Sequence, residues 1–239
     1  MRVIDVAHDI PKFDITAGAY VLYSIHRYAP RGAIFLVVVD PGVGGPREPI
    51  AVETRNYYLV GPNNGILWPV IEEDGFVKAV RLDNDAFWVK PVSYTFHGRD
   101  IFAPAATMLA LGVDIESLGS NLPPEKLIKL HLRSVDRVNR SVCMRVVYID
   151  EFGNVSLSAT QYDKVLETVC GSGKVKVYTG DSERVARCAR TFSEVGRGEL
   201  ALYYNSFGFV ELAVYMGSAA RQLGLNRGDK VCLEPLDER

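Results

Sequence analysis

From Val3 to about Leu118 the chain alternates apolar runs with stretches of helical spacing. Ile4-Asp5-Val6 opens the pattern. A helix is predicted over residues 14–28, with Asp14 as N-cap, because a short carboxylate there can accept the free N–H groups of the first turn. Residues 34–39, Ile-Phe-Leu-Val-Val-Val, form an unbroken apolar run, the pattern of a strand buried on both faces in a partly parallel sheet. The run stops abruptly at Asp40-Pro41-Gly42. Residues 50–53 and 57–60 read as two more strands before the turn sequence Gly61-Pro62-Asn63-Asn64-Gly65. A second helix is predicted over 101–111, with Asp100 as N-cap candidate, Pro104 in its first turn, and Ile101, Ala105, Met108 and Leu109 on one side.

Asn121-Leu122-Pro123-Pro124 breaks any regular element, and beyond it the pattern changes to short strands separated by Gly and Asn turns. Strands are predicted over 143–149, 174–178, 200–205, 210–214 and 230–234, with one helix around 182–191. The expected organisation is therefore an N-terminal α/β domain over 1–122, a linker over 123–137, and a smaller, mainly β domain over 138–239. No internal repeat or low-complexity segment is visible.

Composition narrows the function classes. With 239 residues, 48% hydrophobic and 23% charged, the chain can bury a sizeable core and does not fit a disordered or collagen-like sequence. A net charge of −2 gives no global positive field for a nucleic-acid backbone or an anionic bilayer. No apolar run approaches the roughly 18 residues needed to span a membrane, and the first residues lack a signal-peptide pattern, so a cytoplasmic protein is expected. Cys143, Cys170, Cys188 and Cys232 share no CxxC spacing. They are expected to be buried or free thiols, a Cys170–Cys188 bridge being plausible mainly in a hyperthermophile's cytosol.

Four segments carry candidate chemistry. Asp40 ends an apolar run and is followed by the glycine-rich stretch Pro41-Gly42-Val43-Gly44-Gly45-Pro46-Arg47. That is the kind of strand end where α/β sheets bind ligands, but also an ordinary tight turn. It matches neither a phosphate-binding loop nor a dinucleotide fingerprint. Thr95-Phe96-His97-Gly98-Arg99-Asp100 gathers polar groups before a helix; Arg99 and Asp100 read better as a local ion pair and cap, leaving His97 as the candidate. Asp150-Glu151-Phe152-Gly153-Asn154 and Asn205-Ser206-Phe207-Gly208 each set short polar side chains and an aromatic beside a glycine, suited to a heterocycle or zwitterion, or to a plain β-turn. No set has metal-ligand spacing, and no serine-nucleophile motif occurs.

Taken in register, these segments, with Gly61-Pro62-Asn63-Asn64-Gly65-Ile66-Leu67 and the continuation Ile101-Phe102-Ala103-Pro104-Ala105, resemble the S-adenosyl-L-methionine (SAM) hydrolases, also called SAM hydroxide adenosyltransferases, relatives of fluorinase and chlorinase. The resemblance runs over essentially the whole chain. It implies an α/β first domain with a mostly parallel sheet, a barrel-like second domain, and a homotrimer whose sites lie between the first domain of one subunit and the second domain of the next. It implies a water-handling triad at Asp40, Arg47 and His97. It also places Asp150 and Ser206 on the methionine moiety, Phe152 and Asn154 on adenine, and Phe13 on the ribose. In the halogenases the Asp and His positions differ, so water rather than halide is the implied nucleophile.

Three departures from the family pattern stand out. Family members usually begin earlier, with a strand, a Thr-Asp-Phe-Gly segment and a helix, the Asp there binding the ribose hydroxyls. That role would pass here to Asp9, Asp14 or a neighbouring subunit. Asn63 stands where Asp is usual, and Val155-Ser156-Leu157-Ser158 replaces an Ile-Thr-Asn stretch. The expected reaction is hydrolysis of SAM to adenosine and methionine with no cofactor, no metal, and no nucleic-acid or membrane partner. A non-catalytic SAM- or adenosine-binding protein is the alternative.

Overall fold

The computed structural model describes residues 2–236. The chain divides into two compact units, Met1–His131 and Leu132–Arg239. In the first, α1 (Ile15–Ile25) begins as predicted: Asp14 Oδ1 accepts the Ala17 N–H at 2.8 Å. Its face carrying Ala17, Ala19, Tyr20, Leu22 and Tyr23 is buried, and the chain then tightens into a 3-10 turn over His26–Tyr28. Ile4-Asp5-Val6 is not in a strand, and Val3, Ile4 and Val6 are exposed.

The sheet of this unit is built from β1 (Ile34–Leu36), β2 (Pro49–Thr54), β3 (Tyr58–Pro62), β4 (Phe76–Arg81) and β5 (Ser120–Asn121), in the order β1-β3-β2-β4-β5. Only β1–β3 is parallel; β3–β2, β2–β4 and β4–β5 are antiparallel. The expectation of a mostly parallel sheet is therefore corrected to a mixed, mostly antiparallel one. The cause is connection length: three residues join β2 to β3, with the Thr54 N–H reaching Tyr57 O at 2.9 Å, and so short a link makes a hairpin, never a crossover. Residues 34–39 are likewise not buried on both faces. β1 is an edge strand, with Leu36 and Val38 exposed. One side of the sheet packs on α3 (Ala103–Ala110) and the turn before it, around Val60, Val80, Leu82, Phe102 and Leu109. α2 (Trp68–Asp74) lies between β3 and β4 in sequence.

The second unit is a closed barrel. Its strands are β6 (Asp136–Val138), β7 (Ser141–Ile149), β8 (Val155–Thr160), β9 (Lys174–Thr179), β10 (Ser182–Cys188), β11 (Leu200–Tyr204), β12 (Phe209–Val214) and β13 (Lys230–Pro235). The order β13-β9-β10-β11-β12-β8-β7-β6 is closed by pairing of β13 with β7, so seven strands form the ring and β6 lies outside it. Closure removes the free edges that an open sheet would expose. Val146, Leu157, Val177, Leu202, Leu212 and Leu233 are among the side chains filling the interior. Two short helices, α4 (Val165–Val169) and α5 (Ala219–Leu223), complete the unit.

The helix predicted around 182–191 is strand β10. Thr179 pairs with Ser182 across the two-residue link Gly180-Asp181, and Gly180 takes a φ of 58°, the left-handed conformation such a hairpin needs. The expectation of free or buried thiols is also corrected: Cys143 bonds to Cys232 and Cys170 to Cys188. Cys143 and Cys232 face each other in the β7–β13 register, 89 residues apart in sequence, which no spacing rule could reveal.

Under denaturing conditions without reductant, a thiol reagent should find no reactive cysteine, and after reduction it should titrate all 4. Removing either bridge by Cys→Ser should lower the unfolding free energy by about 2–5 kcal/mol. A full thiol titre before reduction would contradict the pairing.

Candidate active site

In the first unit, the backbone continues past β1 with Val37 N–H donating to Val60 O at 2.9 Å, which carries the chain straight to Asp40. The turn after β3 braces it: Asn64 Nδ2 donates to Val39 O at 2.9 Å, while Asn64 Oδ1 accepts the Ile66 N–H. After Asp40 the chain folds back through Val43 N–H to Asp40 O and Gly45 N–H to Gly42 O, and so returns Arg47 to the carboxylate. Gly44 has a φ of 74°, and a Cβ there would stand 2.4 Å from Tyr94 O. Only glycine allows this loop to lie against the segment that carries His97.

Three side chains meet as a result. Arg47 Nε donates to Asp40 Oδ1 at 2.9 Å and Nη2 to Oδ2, a bidentate pair whose side chains are 9% and 5% exposed. Arg47 Nη2 also lies 3.0 Å from His97 Nδ1. A guanidinium only donates, so Nδ1 must accept, and the His97 proton sits on Nε2. Burial, and then the Arg47 charge, push the His97 pKa below its ordinary value. The imidazole is thus held neutral in one tautomer. Arg47 rests over the Phe102 ring at 5.2 Å, and its Nη1 is buried with no hydrogen-bond partner.

Asp100 is not a helix cap. Residues 98–102 form a π-helical turn ahead of α3, and the buried Asp100 carboxylate accepts Ser93 N–H at 2.8 Å and Arg99 Nε at 2.6 Å. Those bonds hold its carboxyl below the usual range and tie down the loop that presents His97. Asn63 uses both ends of its amide, Nδ2 donating to Lys126 O at 3.0 Å and Oδ1 accepting Ile128 N–H at 2.9 Å. A carboxylate could not make the first bond, so this departure serves the local fold. Phe13, with a φ of 66°, stands 75% exposed before α1.

In the second unit Asp150, Phe152 and Asn154 share the turn between β7 and β8. Asp150 Oδ1 accepts Asn154 N–H at 2.8 Å and Oδ2 accepts Asn154 Nδ2 at 2.9 Å. Phe152 is 77% exposed, and Gly153 is pressed so closely on Ser218 that a Cβ would fall 2.0 Å from its Oγ. Ser206 stands exposed on a separate turn, between β11 and β12, closed by Gly208 N–H to Asn205 O at 2.9 Å. Among the described residues, no three His, Cys, Asp or Glu gather as a metal-binding group, and no helix is long and apolar enough to cross a membrane. Asp100 pairs with Arg99 as the sequence suggested, Asn64 was legible only as part of a turn, and the buried Glu211 was not singled out by sequence. The last had one signal, a charge inside the apolar run 209–214.

Comparison with known proteins decides the family. The SAM hydroxide adenosyltransferase N-terminal domain matches residues 1–119, and the SAM hydroxide adenosyltransferase C-terminal domain matches residues 144–232. The chain belongs to the SAM hydroxide adenosyltransferase family. Within it, the chain is 40% identical over 231 residues to an (R)-S-adenosyl-L-methionine hydrolase of Salinispora tropica, covering 96% of this chain and 85% of that one. It is 38% identical over 238 residues to a protein of the same name from Thermus thermophilus, covering 97% and 87%. A crystal structure of an uncharacterized conserved protein from Thermotoga maritima superposes with a TM-score of 0.90 at 36% identity, over 98% of this chain and 89% of that one. Membership thus rests on matches to both units.

The triad geometry makes a spectroscopic prediction. Imidazole 15N resonances should report His97 protonated on Nε2 and titrating below 6.5, and Arg47→Met should raise that midpoint by removing a nearby positive charge. A midpoint at or above 6.5, or a proton on Nδ1, would contradict the geometry.

Proposed function

We propose that the chain hydrolyses S-adenosyl-L-methionine to adenosine and L-methionine, with Asp40, Arg47 and His97 handling the attacking water. The observation that carries this reading is the single guanidinium that engages both Asp40 and His97. Similarity to relatives named (R)-S-adenosyl-L-methionine hydrolase supports the substrate. The domains 1–122 and 138–239, joined by 123–137, would supply the two halves of the chemistry.

SAM carries a sulfonium, so attack at the ribose C5′ forms a C–O bond while the C5′–S pair leaves on sulfur as neutral methionine. No acid is needed for the leaving group. The difficulty lies in the nucleophile, because water is weak and must stand in line behind C5′. Each Asp40 oxygen accepts one Arg47 N–H, which leaves lone pairs to accept a hydrogen from that water. His97 Nε2–H donates to one lone pair of its oxygen, and the other is left to face carbon. The released proton passes through Asp40 to solvent. Orientation of this kind can lower a barrier by roughly 7–11 kcal/mol. Asp150 and Ser206 would take the amino-acid end of the substrate, Phe152 and Asn154 the adenine, and Phe13 the ribose. We propose a homotrimer in which neighbouring subunits complete each site, as the family resemblance implies.

Incubation with SAM in halide-free buffer containing a chelator should yield adenosine and methionine in equal amounts. Asp40→Ala and Arg47→Ala should each lower kcat by about 10²–10⁴ with little change in KM. Formation of S-adenosylhomocysteine, or binding of SAM with no turnover in the unaltered protein, would overturn the reading; the second result would favour the non-catalytic alternative.

A mixture of Asp40→Ala and Asn154→Ala subunits, each nearly inactive alone, should regain part of the activity after exchange. An active monomer in sedimentation would reject the shared site.

A further inference from the structure

Glu211 lies in the middle of β12, a strand buried at every position, and is itself 8% exposed. The register sets it directly across from Tyr203 on β11 and Ser156 on β8. Its carboxylate collects three donors: Tyr203 Oη at 2.7 Å on Oε1, and Ser156 Oγ at 2.9 Å and Asn205 Nδ2 at 2.8 Å on Oε2. Phe192 lies 6.5 Å from both the Tyr203 and Tyr215 rings, near this group. A buried carboxylate is tolerated only when its oxygens are satisfied, and every donor here points the same way, towards an acceptor-only group.

The consequence lies one residue further on. Because Asn205 commits its Nδ2 to Glu211, its Oδ1 faces the opposite way, where it accepts Phe207 N–H and Phe209 N–H, each at 3.0 Å. Those two bonds shape the turn that presents Ser206. Ser156, held by the same carboxylate, is the second residue of β8 and lies two residues after Asn154. One buried charge therefore fixes the base of the turn carrying Ser206 and the strand leaving the turn that carries Asp150, Phe152 and Asn154.

We propose that Glu211 is a positioning residue for the amino-acid end of the substrate: by orienting the Asn205 amide it sets the turn that brings Ser206 to the methionine moiety. This rests on the assignment of Ser206 above. A carboxamide at 211 removes the charge that anchors Asn205 Nδ2; with its N–H₂ turned towards Asn205 it would also flip that amide and withdraw Oδ1 from the two turn N–H groups, whereas turned towards Tyr203 it faces a hydroxyl oxygen that can accept.

The test compares Glu211→Gln, Asn205→Ala and Ser206→Ala by calorimetry with L-methionine and with adenosine, alongside steady-state kinetics with SAM. All three variants should weaken methionine binding and raise KM by about tenfold, the loss of one or two hydrogen bonds, with kcat within about twofold and adenosine affinity unchanged. Adding Asn205→Asp to Glu211→Gln restores a matched donor and acceptor and should recover most of the affinity. Equal losses for methionine and adenosine would overturn the proposal, as would methionine affinity unchanged in Glu211→Gln or, should that variant not fold, in Asn205→Ala. If Ser206→Ala alone weakens methionine binding, Glu211 is excluded while the Ser206 assignment stands. If Ser206→Ala has no effect, both fall.

Discussion

Arg47 can serve two partners because a guanidinium presents its five N–H groups in one rigid plane. Once Nε and Nη2 close on the Asp40 carboxylate, the second hydrogen of Nη2 has a fixed direction, and His97 Nδ1 lies on it. The tautomer of His97 and the free lone pairs of Asp40 follow from that one placement, which adds to burial in favouring the neutral imidazole. Lysine could not reproduce it, since an ammonium has no fork and no plane. The pair is also nearly buried, and removing one partner from such a pair typically costs 3–5 kcal/mol because the other charge is stranded. Much of the surrounding backbone serves to hold this group still: Asn64 bracing Val39, Gly44 pressed on Tyr94, and Asp100 clamping the loop before His97.

The second unit meets a similar demand by a different device. Here the turns join neighbouring strands of a closed barrel, β7 to β8 and β11 to β12, without any long loop. Asp150 and Asn154 satisfy each other within one turn, while Asn205 shapes the other from the buried Glu211. In both units a buried charge is engaged by several donors or acceptors and thereby sets the direction of an exposed or half-exposed neighbour. This is where buried polar groups have most to contribute, in specificity of geometry more than in net stability.

Loop chemistry was more legible in the sequence than strand direction. Asp40 and His97 stand out beside Gly and Pro yet suit an ordinary turn equally well, and it was the family resemblance that implied the triad with Arg47; the structure brings the three side chains into contact. The parallel sheet failed for a reason already present in the pattern: strands over 50–53 and 57–60 leave too little chain for a crossover. Residues 34–39 read as doubly buried because apolar runs do not say whether a strand is central or an edge. Residues 182–191 read as a helix, yet the two-residue link Gly180-Asp181 folds them back on β9 as a strand. The two disulfides and the contacts of Glu211 depend on which strands become neighbours, information that is distributed over the whole barrel and absent from any local window.

The central claim, that Arg47 makes Asp40 and His97 act as one unit, is tested most directly by a double-mutant cycle on the chemical step. Single-turnover rates with saturating SAM would be measured for Arg47→Lys, His97→Ala and the double variant. If the guanidinium is what gives His97 its role, the double variant should be no slower than the slower single variant, so that the losses do not add. Losses that multiply in the double variant would show two independent contributions and contradict the account.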